Sequence, residues 1–149
     1  MRLRLTVQRE TEERGLPANA ALARWAQAAL SGSGAGVAEV NIRLVDVDES
    51  RRLNARYRAK RRPTNVLSFA YDAPEARPGL IGDLVICAPV VSREAEAQGK
   101  ARRAHWAHLV VHGILHLRGH DHIRETDAQA MESAEIRILK RLGFSNPYR

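Results

Sequence analysis

The chain has 149 residues, 44% hydrophobic and 28% charged, which suits one globular domain with a real core, and 24 Lys+Arg against 17 Asp+Glu give a net charge of +7. A sequence pI near 10.5 favours a polyanionic partner, nucleic acid or an anionic membrane, over a neutral peptide. The lone Cys87, in the apolar run Leu84-Val85-Ile86-Cys87, excludes a disulfide framework and a cysteine zinc site; with no signal-peptide block and no run of membrane-spanning length, the expected location is the cytoplasm.

Alternation predicts a strand over Arg2 to Gln8. Pro17 and Asn19 precede a helix from about Ala20 to Leu30, with Leu22, Trp25, Ala26, Ala29 and Leu30 on its apolar face. Ser31 to Gly36 is a flexible connector too short to separate domains. Val37 to Asp46 reads as a strand with Val40, Ile42 and Leu44 on one side, and Asp48 can cap a short helix through about Tyr57. Val66 to Tyr71 and Asp83 to Cys87 are further strands, joined by a loop from Asp72 to Gly82. Pro89 opens a helix that Gly99 interrupts, and Ala101 to Leu117 is a long helix. Thr126, with Gln129 completing a capping box, starts the last helix; Met131, Ala134, Ile138 and Leu142 form its buried stripe and Gly143 ends it. The sum is a single α+β domain over residues 1–149, a small mixed sheet of about four strands flanked by helices.

The long helix carries the chemistry. His112 and His116 are four apart inside an apolar run, so both imidazoles share a face and can reach one metal ion. Gly119 can take the left-handed conformation that ends a helix, and the chain then returns with His120, Asp121 and His122. The spacing follows the metzincin pattern H-x-x-x-H-x-x-G-x-x-H, whose offset from the glycine favours His122 over His120 as third ligand. Asp121 either orients a ligand imidazole or helps the turn. Three imidazoles with one open position suit a catalytic zinc ion; imidazole also accepts nickel, copper or iron. In zinc proteases the residue after the first histidine is a glutamate base, whereas here it is Gly113. His108, one turn before His112 and on the same side, is geometrically able to be a fourth helical ligand but reads more readily as a neighbour of the ligands or a core histidine, and Trp106 reads as packing.

A second stretch, Arg51 to Arg62, holds Arg51, Arg52, Arg56, Arg58, Lys60, Arg61 and Arg62 and leads through Pro63-Thr64-Asn65 into a strand. Arginine offers planar, two-pronged hydrogen bonds to phosphate oxygens, and Tyr57 could stack on a base. Composition alone reads equally as a solvated basic face; a metal motif nearby shifts the reading to phosphoryl chemistry.

These blocks together resemble the YbeY family of bacterial endoribonucleases: Leu53-Asn54 through Tyr57-Arg58-Ala59-Lys60, Pro63 to Phe69, Gly82 to Ile86, His105-Trp106-Ala107-His108 and the histidine motif. The resemblance covers about Val37 to the C-terminus. It implies a zincin-like fold and a single-strand-specific, zinc-dependent endoribonuclease, a hydrolase acting on the 3′ end of small-subunit (16S) rRNA and in ribosome quality control. It implies metal ligands at His112, His116 and His122, with Arg58 and His116 as catalytic residues and one Zn2+ as cofactor. The implied partners are single-stranded RNA, rRNA and ribosomal subunits, with no membrane. The histidine at position 120, where the family often has an aromatic residue, is a local departure. The rival readings are a zinc peptidase, which the missing glutamate opposes, and an RNA- or ribosome-binding assembly factor with a structural or weakly catalytic metal.

Overall fold

The structure is a computed structural model that describes residues 1–72, 79–120 and 124–149. Chain order is β1 (Arg2–Glu10), α1 (Asn19–Ala29), β2 (Val37–Val45), α2 (Val47–Arg58), β3 (Val66–Tyr71), β4 (Gly79–Cys87), α3 (Ala88–Ala97), α4 (Arg102–Leu117) and α5 (Glu125–Arg141). The strands form one mixed sheet in the order β1-β2-β4-β3. β1 and β4 both run parallel to β2, and β3 is the antiparallel edge. The α+β reading with about four strands is therefore observed. No helix among the described residues is long and apolar enough to cross a membrane.

The core lies on both faces of β4. Leu84 and Ile86 point to one side, where Val40, Ile42 and Leu44 of β2 meet α1, α4 and α5. Val85 and Cys87 point to the other, with Val45, Leu67 and Val90. This is the period of 2 of a strand, with both faces covered. Cys87 is fully buried, and burial pushes its thiol above its ordinary value, so it is a core residue. All five predicted apolar residues of the first helix are buried, as is Trp106.

α4 is the central helix, touching α1, α3, α5, β3 and β4. From His105 to Leu117 every residue is buried except His108, His112 and His116. A helix buried on most sides keeps one open stripe at four-residue spacing, and here the stripe is histidine. Two glycines allow α4 to lie so close to the sheet. A Cβ on Gly113 would come within 2.8 Å of Leu84 Cδ2, and one on Gly82 within 2.6 Å of Leu117 Cδ2 and 3.0 Å of the Phe69 carbonyl oxygen. The helix ends as expected at Gly119 (φ +92), where the N–H groups of Gly119 and His120 donate to the carbonyls of His116 and Leu115.

Three boundaries differ from the sequence expectation. β4 begins at Gly79 instead of Asp83, because Gly79 to Gly82 pair with Val37 to Val40 of β2; residues 73–78 of the predicted loop lie outside the described residues. Asp46, not Asp48, is the N-cap of α2, yet it makes no cap bond. Its carboxylate instead accepts hydrogen bonds from the Thr11 hydroxyl and the Glu12 N–H. The last helix starts at Glu125 with Arg124 at its N-cap and no side-chain cap, so Thr126 and Gln129 form no capping box at its start. Glu125 and Asp127 in the first turn supply the favourable charge at that end instead.

Gly82→Ala should lower the unfolding free energy by about 1–3 kcal/mol, because the added methyl meets a helix side chain and a strand carbonyl at once. Urea unfolding checks this, with an unchanged midpoint as the contrary result.

Candidate metal centre and basic groove

His112 and His116 stand one turn apart on the open stripe of α4, ring centroids 4.7 Å from each other in an edge-to-face arrangement. Behind them is Glu135 of α5, a carboxylate only 1% exposed. Its Oε1 lies 2.9 Å from His112 Nδ1, and its Oε2 lies 2.5 Å from His108 Nε2 and 2.6 Å from the Tyr148 hydroxyl, which donates to it. Burial pushes the Glu135 carboxyl up, but the hydrogen bonds from His108, His112 and Tyr148 outweigh it and hold the group at about 2. Burial and that carboxylate push the Tyr148 phenol above its ordinary value.

A carboxylate only accepts, so each ring nitrogen facing it carries the hydrogen. His112 is thereby set with Nδ1 protonated and its lone pair on Nε2, the tautomer that ligates a metal through Nε2. Among the described residues, donor atoms of His108, His112 and Glu135 lie within 4.8 Å of one another, a group that can hold a metal ion. Their hydrogen bonds show a second use of the same atoms: Glu135 is a proton acceptor shared by two histidines, and His108 Nε2 is already committed to it. The donor set, imidazole nitrogen backed by a buried carboxylate, fits a divalent transition ion. His122 and Asp121 lie outside the described residues.

A cavity of about 770 Å³ opens in front of His112 and His116. Arg58, Lys60, Arg62, Gly119 and His120 also line it. Among the described residues this lining contains no carboxylate, so its field favours an anion. Arg58 is the last residue of α2 and is exposed; its Nη2 donates to the Ser68 carbonyl at 3.3 Å. The Ser68 hydroxyl lies 3.4 Å from the Gly113 carbonyl, linking the arginine to the helical turn of His112. Ala59 then takes a left-handed conformation (φ +56), a strained choice for a residue with a Cβ, and turns the chain into the basic loop.

That loop is held from below by polar residues to which the sequence alone assigns no role. Ser50 and Asn54, one turn apart on α2, are both buried. The Ser50 hydroxyl bonds the N–H and carbonyl of Thr64, each at 3.0 Å, and Asn54 Nδ2 donates to the Arg62 carbonyl at 2.8 Å. Asn65 donates to Glu94 at 3.0 Å, and Glu94 meets buried His105 at 2.9 Å. That His105 contact, against the cost of burial, keeps the Glu94 carboxyl below its ordinary value. Glu135 was also missed. Its signal was present: an acidic residue four after Met131 and three before Ile138, inside the apolar stripe of the last helix. Tyr57 is half exposed beside Phe69, with the Arg56 guanidinium 5.3 Å from its ring.

Residues 6–143 match the family described as Endoribonuclease YbeY. A protein of that name from Methylococcus capsulatus is 57% identical over 146 residues, covering 97% of this chain and 95% of the relative. Another, from Alkalilimnicola ehrlichii, is 56% identical over 142 residues, covering 91% and 84%. The solution structure of TM1509 from Thermotoga maritima shares the fold, with a TM-score of 0.56 at 22% identity over 97% of this chain and 99% of that one.

Asn54→Ala should free the basic loop. It leaves the Arg62 carbonyl unpaired, costs about 1–3 kcal/mol and speeds trypsin cleavage after Lys60 and Arg61. Limited proteolysis read by mass spectrometry checks it; an unchanged cleavage rate means Asn54 does not hold the loop.

Proposed function

The chain belongs to the Endoribonuclease YbeY family, and from that premise we propose that it is a hydrolase that cuts single-stranded RNA internally, using one divalent ion held by His112, His116 and His122. The observation that carries the reading is the cavity wall. The imidazoles His112 and His116 and the cations Arg58, Lys60 and Arg62 share one cavity whose described lining has no carboxylate. Metal ligands beside phosphate-binding cations are what phosphodiester cleavage needs; a peptidase needs a base near the metal and gains nothing from the cations.

A divalent ion held by the histidines supplies Lewis-acid polarisation of a phosphoryl oxygen and makes water easier to deprotonate near neutral pH. The side chains do the rest. Glu135 holds His112 in the ligating tautomer. Arg58, tied to the Ser68 carbonyl, offsets negative charge developing on the attacked phosphorus, and Lys60 and Arg62 hold flanking phosphates. Gly113 stands where a zinc peptidase carries its helix-borne base, and a Cβ there would press on Leu84 Cδ2 at 2.8 Å in the core. We assign the enzyme to rRNA processing at the 3′ end of small-subunit (16S) rRNA and to ribosome quality control, on ribosomal subunits in the cytoplasm. The family resemblance supports this assignment, zinc is the ion we assign, and the charge of +7 agrees with an RNA partner.

The test is cleavage of end-labelled single-stranded RNA by wild type, Arg58→Glu and His112→Ala, with metal content measured on each preparation. Wild type should cut, and His112→Ala should lose both metal and cutting. Arg58→Glu should keep its metal and lose cutting by about 10²–10³-fold. RNA binding without cleavage by metal-loaded wild type favours an assembly factor; equal cutting by all three exposes a contaminating nuclease.

The same groove should make RNA affinity fall steeply with salt. Titration from low to physiological ionic strength checks this, and Lys60→Ala and Arg62→Ala should each flatten the slope of log affinity against log salt by about one. A slope unchanged in both variants removes these residues from the phosphate path.

A further inference from the structure

The last residues of the chain reach back to the histidines. Tyr148 follows a turn in which its N–H donates to Asn146 Oδ1 at 2.8 Å, and the Lys100 ammonium donates to the Pro147 carbonyl at 2.5 Å. The Tyr148 ring stands edge-on to His108, centroids 5.4 Å apart. Its hydroxyl reaches Glu135 Oε2 at 2.6 Å, the oxygen that His108 also contacts, while the other oxygen serves His112.

We propose that Tyr148 is a positioning residue for the metal centre, and that the C-terminal tail, clamped by Lys100, sets the pose of Glu135 and through it the tautomer and orientation of His112. The physical reason is saturation. A carboxylate this deeply buried must have both oxygens paired, and rotation about its final bond trades one partner against the other. With Tyr148 and His108 satisfying Oε2, Oε1 stays on His112. Without the hydroxyl, Oε2 keeps only the His108 contact, so one fewer bond opposes rotation of the carboxylate and its hold on His112 loosens. A half-exposed tyrosine at a chain end otherwise reads as a surface residue or a platform for a nucleobase.

The inference rests on His112 as a metal ligand, so its test uses zinc itself. Zinc affinity is measured by chelator competition for wild type, Tyr148→Phe and Lys100→Ala, and histidine nitrogen chemical shifts are recorded on the metal-free proteins. Tyr148→Phe keeps the ring and removes one oxygen. It should weaken zinc by about tenfold and mix the His112 tautomers, with RNA affinity of the metal-free protein unchanged. Lys100→Ala, which touches the tail and not the ligands, should show a smaller loss of the same kind. Zinc affinity and tautomer unchanged in both variants overturn the proposal. So does a Tyr148→Phe variant that loses RNA affinity alone, which makes the residue a substrate contact. A wild type that binds zinc but cuts no RNA removes the nuclease reading and leaves this affinity series standing.

Discussion

The site depends on how closely α4 can approach the sheet. Gly113 against Leu84 and Gly82 against Leu117 and Phe69 remove the methyl groups that would hold the layers apart. With the helix seated that deeply, its surface from His105 onward is buried except for the line of His108, His112 and His116. The same contact orients the helix about its own axis. A rotation of one residue would put a histidine in the core and an aliphatic side chain in the cavity, and each error costs burial energy. Packing therefore fixes which side chains stand on the open side of the helix.

Around that helix the protein spends polar groups where a simpler core would be apolar. Ser50, Asn54, His105 and Glu135 are all buried, and each is bonded to another element or to a loop. A buried polar group left unpaired costs more than its bond contributes, so such groups add little net stability while making departures from one arrangement costly. They sit where precision is needed: two beneath the basic loop, one between α3 and α4, one behind the histidines. The adjacent loops can then carry cations and a strained Ala59 without losing their shape.

The charge distribution follows a similar logic. Arg58, Lys60 and Arg62 face the cavity with no carboxylate in its described lining, an arrangement in which like charges repel. Carboxylates that could have neutralised them are committed elsewhere, Glu49 to Arg43, Glu94 to His105, and Glu135 to the back of the histidines. A bound polyanion would relieve that repulsion.

The sequence by itself determined the local order. Periodicity located the helices and strands, since burial of one face repeats every 3.6 or 2 residues whatever the partner. The spacing of His112, His116 and Gly119 carries the proposed metal motif, ended by a left-handed glycine, and the dense basic stretch with Arg58 carries the proposed phosphate-binding loop. Only the tertiary structure decided which strands are neighbours and that β4 begins at Gly79, because strand ends are set by the partner available for pairing. It decided that Asp46, not Asp48, stands at the N-cap of α2, with its carboxylate given to Thr11 and Glu12 instead of a cap bond. It also brought Glu135 and Tyr148, 23 and 36 residues beyond His112, to the back of the histidines, and joined Arg58 to their front across Ser68. Local patterns report what one segment needs to bury or bond; which distant group meets that need is settled when the segments pack together.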